Sequence, residues 1–272
     1  MGTKTQALKI EQERLSRLVE LGIAMSSEKD SDKLMEMVLV GAKDLTNADG
    51  GSLYSIDEDN IFQYELIQND ALNIHYGGTG STTLELPKVS LFNEDGSPNH
   101  ANVVSHAVHE EATINIDDVY AETGFDFTGM REVDADYNYT SKSFLTIPLK
   151  PRGGDIIGAL QLINAKNPET GEIIPFDDVV RPFVEALAAQ AATCLYNREL
   201  LRAQDALMDS LIQLIAGAID AKSLYTGGHC ERVPELAFML VKEAEDSNIG
   251  ELADFKFNSP EERREFQIGA WL

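Results

Sequence analysis

The chain has 272 residues, with 22 lysines and arginines against 46 aspartates and glutamates, a formal charge of -24. A surface of that sign repels nucleic-acid phosphates and anionic headgroups, so neither nucleic acid nor membrane is expected as a partner. Its 43% hydrophobic and 25% charged content is that of ordinary globular proteins of one or two domains, no apolar run reaches the roughly 20 residues that span a bilayer, and no signal-peptide core follows Met1, so a cytoplasmic location is expected.

Leu8, Leu15, Leu18, Leu21 and Met25 recur at helical spacing, which predicts an amphipathic helix over about 6–25. A second helix, capped at Asp32 and carrying Leu34, Met37, Val38 and Leu45, is expected to end near Asn47, with Asp49-Gly50-Gly51 as a turn. Ser52–Ile56 and Phe62–Ile67, separated by polar Asp57–Asn60, read as a hairpin. Residues 76–100 are rich in turn formers and read as loops around a short strand at Leu84–Leu86. A short helix over 102–108, a strand over 112–115 and a polar loop over 117–136 follow. Strands at 143–149 and 156–164 complete the set, and helix, paired strands and helix in this order predict an α+β domain built on an antiparallel sheet. Cys194 and Cys230 show no CxxC spacing and read as free thiols.

From Val180 to Ile219 apolar positions step by four and three: Val184, Leu187, Ala191, Cys194, Leu201, Met208, Ile212, Ile215 and Ile219, with Arg198 and Asp205 as polar interruptions. That heptad seam, about 60 Å long over 178–220, exceeds what one small domain can cover and predicts a homodimer through the 180–219 helix.

Three runs carry a family resemblance: Ser143-Phe144-Leu145-Thr146-Ile147-Pro148-Leu149, Gly158-Ala159-Leu160-Gln161-Leu162-Ile163-Asn164, and Phe176-Asp177-Asp178 at the head of a helix. With Gly51-Ser52-Leu53-Tyr54 and Asn115–Tyr120 upstream, they resemble GAF domains, particularly those of cyclic-nucleotide phosphodiesterases, over roughly 32–197. The resemblance implies a small-molecule ligand such as cAMP or cGMP, in a pocket lined by Ser52, Val103, Val104, Tyr120 and Ser141, where hydroxyls and the amides of a short-helix N-terminus would suit a phosphate. It also implies a signature of Asn164, a lysine, Phe176 and the Asp177-Asp178 pair, in which lysine and aspartate form an internal salt bridge beside the pocket. Position 165 is Ala and Lys166 comes one residue later, on the opposite face of a regular strand unless the strand ends or bulges. His106 and His109, with Glu110 or Glu111, form an alternative metal- or gas-sensing set. His75 and His100 fall in segments read as loops, with no partner readable from the sequence. A further alternative is a ligand-free dimerisation platform.

Tyr225-Thr226-Gly227-Gly228-His229-Cys230-Glu231-Arg232-Val233 resembles the opening of HD-GYP phosphodiesterase domains, which implies His229 as a first metal ligand and, in a complete domain, clustered divalent metals hydrolysing cyclic di-GMP. The His-Asp and Gly-Tyr-Pro motifs of that family do not follow, so the chain is expected to be catalytically incomplete. The expected organisation is an N-terminal helix over 1–30, a sensor domain over 31–178, a linker helix over 179–222 and an incomplete HD-GYP start over 223–272.

Overall fold

The computed structural model describes residues 2–80, 86–222, 229–247, 250–252, 255–257 and 259–271. Two compact units make up the chain, Met1–Arg198 and Glu199–Leu272.

The first unit opens with helices α1, Gly2–Ser27, and α2, Ser31–Thr46. The α2 cap is Asp30 rather than Asp32: its side chain accepts from the amides of Asp32 and Lys33, satisfying donors that the first helical turn leaves free. Strands β1, Ala48–Ile56, and β2, Ile61–Asn69, form the expected hairpin. Asp49-Gly50-Gly51 is strand rather than turn, because β1 is central and two neighbouring backbones flank it. A Cβ on Gly50 would stand 2.9 Å from the Gln68 carbonyl, and one on Gly51 2.8 Å from that of Gln161. Glycine here serves close approach, not chain reversal.

The 76–100 region holds two strands that its composition hides, β3, Ile74–Gly77, and β4, Val89–Ser90, both paired with β2. Residues 84 and 85 of the strand expected at 84–86 lie outside the described residues. Helix α3, Val103–His109, and strand β5, Ile114–Ile116, fall close to expectation. The segment expected as a loop contains α4, Thr128–Tyr137. Strands β6, Phe144–Leu149, and β7, Gly158–Lys166, follow, then a short β8, Ile173–Ile174. The long helix α5 spans Arg181–Lys222.

All pairings are antiparallel, in the order β3-β2-β1-β7-β6-β5, with β4 on β2 and β8 on β7. This is the expected α+β fold. Strand alternation divides the interior between two faces. Leu53, Leu145, Ile147, Leu149, Leu160 and Leu162 pack under α1, α2 and α5. Tyr54 and Ala159, and separately Phe144, face the layer carrying α3 and α4.

The first half of the heptad seam is absorbed by the domain's own core, for Val184, Leu187 and Ala191 are all fully buried. Arg198 donates to the carbonyl of Glu28 at the end of α1, so this polar interruption ties α5 to its own chain.

In the second unit, Asp205 and Asp209 on α5 pair with Arg264 at 2.6 and 3.1 Å. Helix α6, His229–Asp246, packs on α7, Pro260–Trp271, through the edge-to-face rings of Phe238 and Phe266 at 5.5 Å, with Arg263 over Phe238 and Phe257. Among the described residues no helix is long and apolar enough to cross a membrane.

Gly51→Ala would force a methyl against the Gln161 backbone and is expected to destabilise the fold by about 1–3 kcal/mol. Gly217→Ala, on an open stretch of α5 with nothing within 4 Å, is expected to be neutral or stabilising by about 0.5–1 kcal/mol. Urea-denaturation midpoints at constant m-value check both.

Candidate functional site

The face of the sheet away from α1, α2 and α5 carries a cavity of about 400 Å³, roofed by α3 and α4. Its floor is Ser52, Tyr54, Tyr64, Gln161, Ile163 and Phe144 from the strands, and its walls include Val103 and Val104 of α3 and Met130, Val133 and Tyr137 of α4. The lining is mostly apolar and aromatic with a few polar groups, the composition of small-molecule sites, and its volume lies within their roughly 300–1,000 Å³ range.

Four of the five expected pocket residues, Ser52, Val103, Val104 and Ser141, line this cavity. Tyr120 does not; it stands behind the wall and donates its hydroxyl to Asp134 Oδ2 at 2.7 Å. Asp134 is a lining residue the sequence reading missed. Its buried carboxylate also accepts from the Ser141 amide at 2.7 Å and the Ser141 hydroxyl at 2.8 Å. Donation to Asp134 pushes the Tyr120 phenol pKa up. Asp134 lies on α4, whose Met130, Val133 and Tyr137 share one helical face; that spacing was the available signal.

The N-terminal amides of α3 are not open to a phosphate as expected. Asn102 Oδ1 accepts from Val104 N at 2.9 Å and Ser105 N at 3.3 Å, so the cap has already used these two. Among the described lining residues Lys88 is the one lysine or arginine, set against Asp126 and Asp134. On the floor, Gln161 Nε2 donates to Thr146 Oγ1 at 3.0 Å, and the Tyr54 hydroxyl donates to Gln161 Oε1 at 3.4 Å.

A break in strand alternation sets the relative placement of Asn164 and Lys166. Leu160 and Leu162 enter the helix-side core, and the next residue of β7 to do so is Ala165 rather than residue 164. The alternation resets at Asn164, whose φ of +58° is left-handed. Its buried carboxamide holds that geometry: Oδ1 accepts from Lys142 N at 2.7 Å and Ser143 N at 3.3 Å, while Nδ2 donates to Thr140 O at 2.7 Å and to the Tyr139 hydroxyl at 2.9 Å. Beyond the reset, Lys166 pairs with Asp49 on β1. The other Asp49 oxygen accepts the Tyr139 hydroxyl at 2.7 Å, and Tyr139 lines the cavity.

The internal lysine–aspartate bridge therefore uses Asp49, not the expected Asp177 or Asp178. Both of those are exposed, and Asp177 Oδ1 caps the amide of Val179 at 2.9 Å. Phe176 is buried in the helix-side core, and its carbonyl accepts from Asn115 Nδ2 at 3.1 Å.

The expected metal pair His106 and His109 is not assembled. His109 Nε2 meets the Leu91 carbonyl at 2.7 Å, whereas His106 Nδ1 faces His100 Nδ1 at 2.9 Å. His100 thus has a partner, and His75 belongs to β3, 3.4 Å from Glu36. His229 is the first residue of α6, and Tyr225–Gly228 of its run lie outside the described residues.

A larger depression of about 610 Å³ opens elsewhere, lined by Arg14, Arg17, Asp44, Lys166 and Asp177. Arg17 is paired with Asp44 at 2.5 Å and Lys166 with Asp49, so two of its cations are already neutralised. The aromatic cavity is the better ligand site.

Against known proteins, the GAF domain family model matches residues 30–195, more than half of the chain. The chain belongs to the GAF domain family. It is 26% identical over 160 residues to the dual 3',5'-cyclic-AMP and -GMP phosphodiesterase 11A of Takifugu rubripes, a match covering 59% of this chain and 16% of that protein's length. Among solved structures it resembles the GAF domain of a phosphoenolpyruvate-protein phosphotransferase from Coxiella burnetii, with 15% identity, TM-score 0.51, and 70% of this chain and 96% of that one covered. The corresponding Acinetobacter domain gives 14%, 0.50, 70% and 98%. These structures bear on fold alone.

Two predictions follow from the buried polar groups. Asp49 is 2% exposed at its side chain and Lys166 33%. Lys166→Met leaves that carboxylate without its cation and is expected to cost roughly 2–3 kcal/mol, the low end for a broken buried pair because the lysine is part exposed. Asp49→Asn combined with Lys166→Met is expected to recover most of the loss in a double-mutant cycle. Separately, burial, reinforced by donation to Asp49, holds the Tyr139 phenol pKa well above its ordinary value, and burial does the same for Tyr54. Above about pH 10 the unfolded chain loses tyrosine protons that the folded chain keeps. Stability is therefore complete below that pH and falls as pH rises past it. Urea midpoints measured between about pH 9 and 11 should show this slope, and Tyr139→Phe should reduce it, leaving the part due to Tyr54.

Proposed function

We propose that this chain is a regulatory GAF module that binds a cyclic nucleotide, cAMP or cGMP, in the 400 Å³ cavity. The observation that carries the reading is the lining: Tyr54, Tyr64, Phe127, Tyr137 and Tyr139 around a floor that offers the Gln161 amide. Such a site stacks a planar base and tests its edge by hydrogen bonds. Asp134 keeps spare acceptor capacity for an amine or ribose hydroxyl and repels a phosphate, which leaves the Lys88 end as the phosphate's place. The likeness to a dual cyclic-AMP and -GMP phosphodiesterase supports the same ligand class.

We further propose the organisation expected from the sequence: a helix over 1–30, the sensor over 31–178, a signalling helix over 179–222 and the start of an HD-GYP domain over 223–272. In this account ligand binding biases the geometry of α5 pairs in a homodimer, and the ligand passes a signal only by preferring one of two helix arrangements. Leu201, Met208 and Ile215, seven residues apart on α5, are 58%, 54% and 44% exposed, which suits a partner helix. The resemblance of Tyr225–Val233 supports a parent phosphodiesterase acting on cyclic di-GMP. Among the described residues the one cluster of three side chains able to hold a metal is His100, His106 and Glu110.

Isothermal titration with each nucleotide is expected to give one site per chain for at least one of them. Lys88→Ala, which removes the cation from the phosphate's end of the cavity, should weaken binding about tenfold, the worth of one good hydrogen bond. No heat with either nucleotide at millimolar concentration rejects the ligand assignment. Light scattering on a Leu201→Glu, Met208→Glu, Ile215→Glu variant should show a monomer that still binds nucleotide; an unaltered dimer would remove the α5 seam from the account.

A further inference from the structure

Outside the cavity, three ligand-type side chains converge where the loop before α3 meets the end of that helix. His100 Nδ1 lies 2.9 Å from His106 Nδ1 and 4.0 Å from Glu110 Oε1, and the ligand atoms of all three lie within 4.8 Å of one another. His106 and Glu110 are one helical turn apart, so they share a face of α3. We propose that His100, His106 and Glu110 form a binding site for a divalent transition-metal ion, with Zn²⁺ the metal their chemistry suits best.

Metal–imidazole bonds of about 2.0–2.1 Å drawn from nitrogens 2.9 Å apart subtend roughly 90° at the ion, and opening them by about half an ångström gives the tetrahedral angle. Two histidines and a glutamate are a known zinc donor set that leaves a fourth position to water. Without metal, one ring must donate its Nδ1 proton to the other's lone pair. On binding, the donor ring carries that proton on Nε2 instead, and both Nδ1 lone pairs turn to the ion with no net proton transfer.

The rings are held by packing rather than left free. His100 sits edge-on to His106 at 5.0 Å and tilted against His109 at 5.4 Å. His106 leans on Phe125 at 5.2 Å, and His109 is fixed by the Leu91 carbonyl and by Phe92 at 5.2 Å. These ring contacts narrow the orientations open to the two imidazoles. The chain's charge of -24 adds a field that attracts a dication. An ion there would clamp α3, which supplies Val103 and Val104 to the cavity wall, onto the 91–100 loop.

The test is Zn²⁺ titration of the whole chain after removal of metal with a chelator, followed by calorimetry. One ion per chain is expected, with His100→Ala and His106→Ala each weakening it at least tenfold and His75→Ala leaving it unchanged. Co²⁺ added to the parent protein localises the site without a variant, through paramagnetic broadening of amide signals around residues 100–110. No binding, unchanged affinity in His100→Ala and His106→Ala, or broadening confined to other residues overturns the proposal.

Discussion

The left-handed turn at Asn164 is the constraint on which the candidate site depends. A strand that alternated regularly to its end would place residue 164, not Ala165, beside Leu162 in the helix-side core. Asparagine tolerates positive φ better than most residues with a side chain, and here its carboxamide bonds to four groups of the 139–143 segment, holding that segment across the end of β7. The same turn delivers Lys166 to Asp49, and Asp49 holds Tyr139 at the cavity wall. One left-handed residue within β7 thus joins the floor, one wall and the charge pair of the site.

The cavity survives because the layer above it is roof rather than core. Asp134 is the one fully buried residue of α4, and its carboxylate is satisfied by three donors rather than by a cation. A buried carboxylate is costly without such bonds. The arrangement fixes the roof without filling the space beneath it.

Elements with a strong period were legible in the sequence: α2, the β1–β2 hairpin, β6, β7 and α5 all appear where apolar spacing places them. What failed had physical causes. Asp49-Gly50-Gly51 has turn chemistry, yet its glycines exist because backbones press on β1 from both sides. Helix α4 lacks a side-chain cap, and its apolar residues face a cavity, so it reads as loop. The salt-bridge partner of Lys166 is 117 residues away in sequence, and only the fold could supply it. For the same reason helical spacing pairs His106 with His109, whereas the fold sets His106 against His100 and His109 against the Leu91 carbonyl. Of the five residues that the GAF resemblance implies for a pocket, Ser52, Val103, Val104 and Ser141 line the cavity.

The heptad on α5 changes role along its length. Its first half is core of the sensor domain, Arg198 and Asp205 bond within the chain, and the exposed apolar residues begin at Leu200, just past Arg198. A seam that serves two surfaces in turn is read from sequence as one.

In the proposed regulatory role a ligand enters between the sheet and the α3–α4 layer. Hydrogen–deuterium exchange on the whole chain, with and without saturating cAMP or cGMP, tests this most directly. Slowed exchange across residues 102–109 and 128–143 is the result predicted. Exchange unchanged there, or slowed only around Asp44 to Asn47 and Pro168 to Asp177 beside the larger depression, would contradict it.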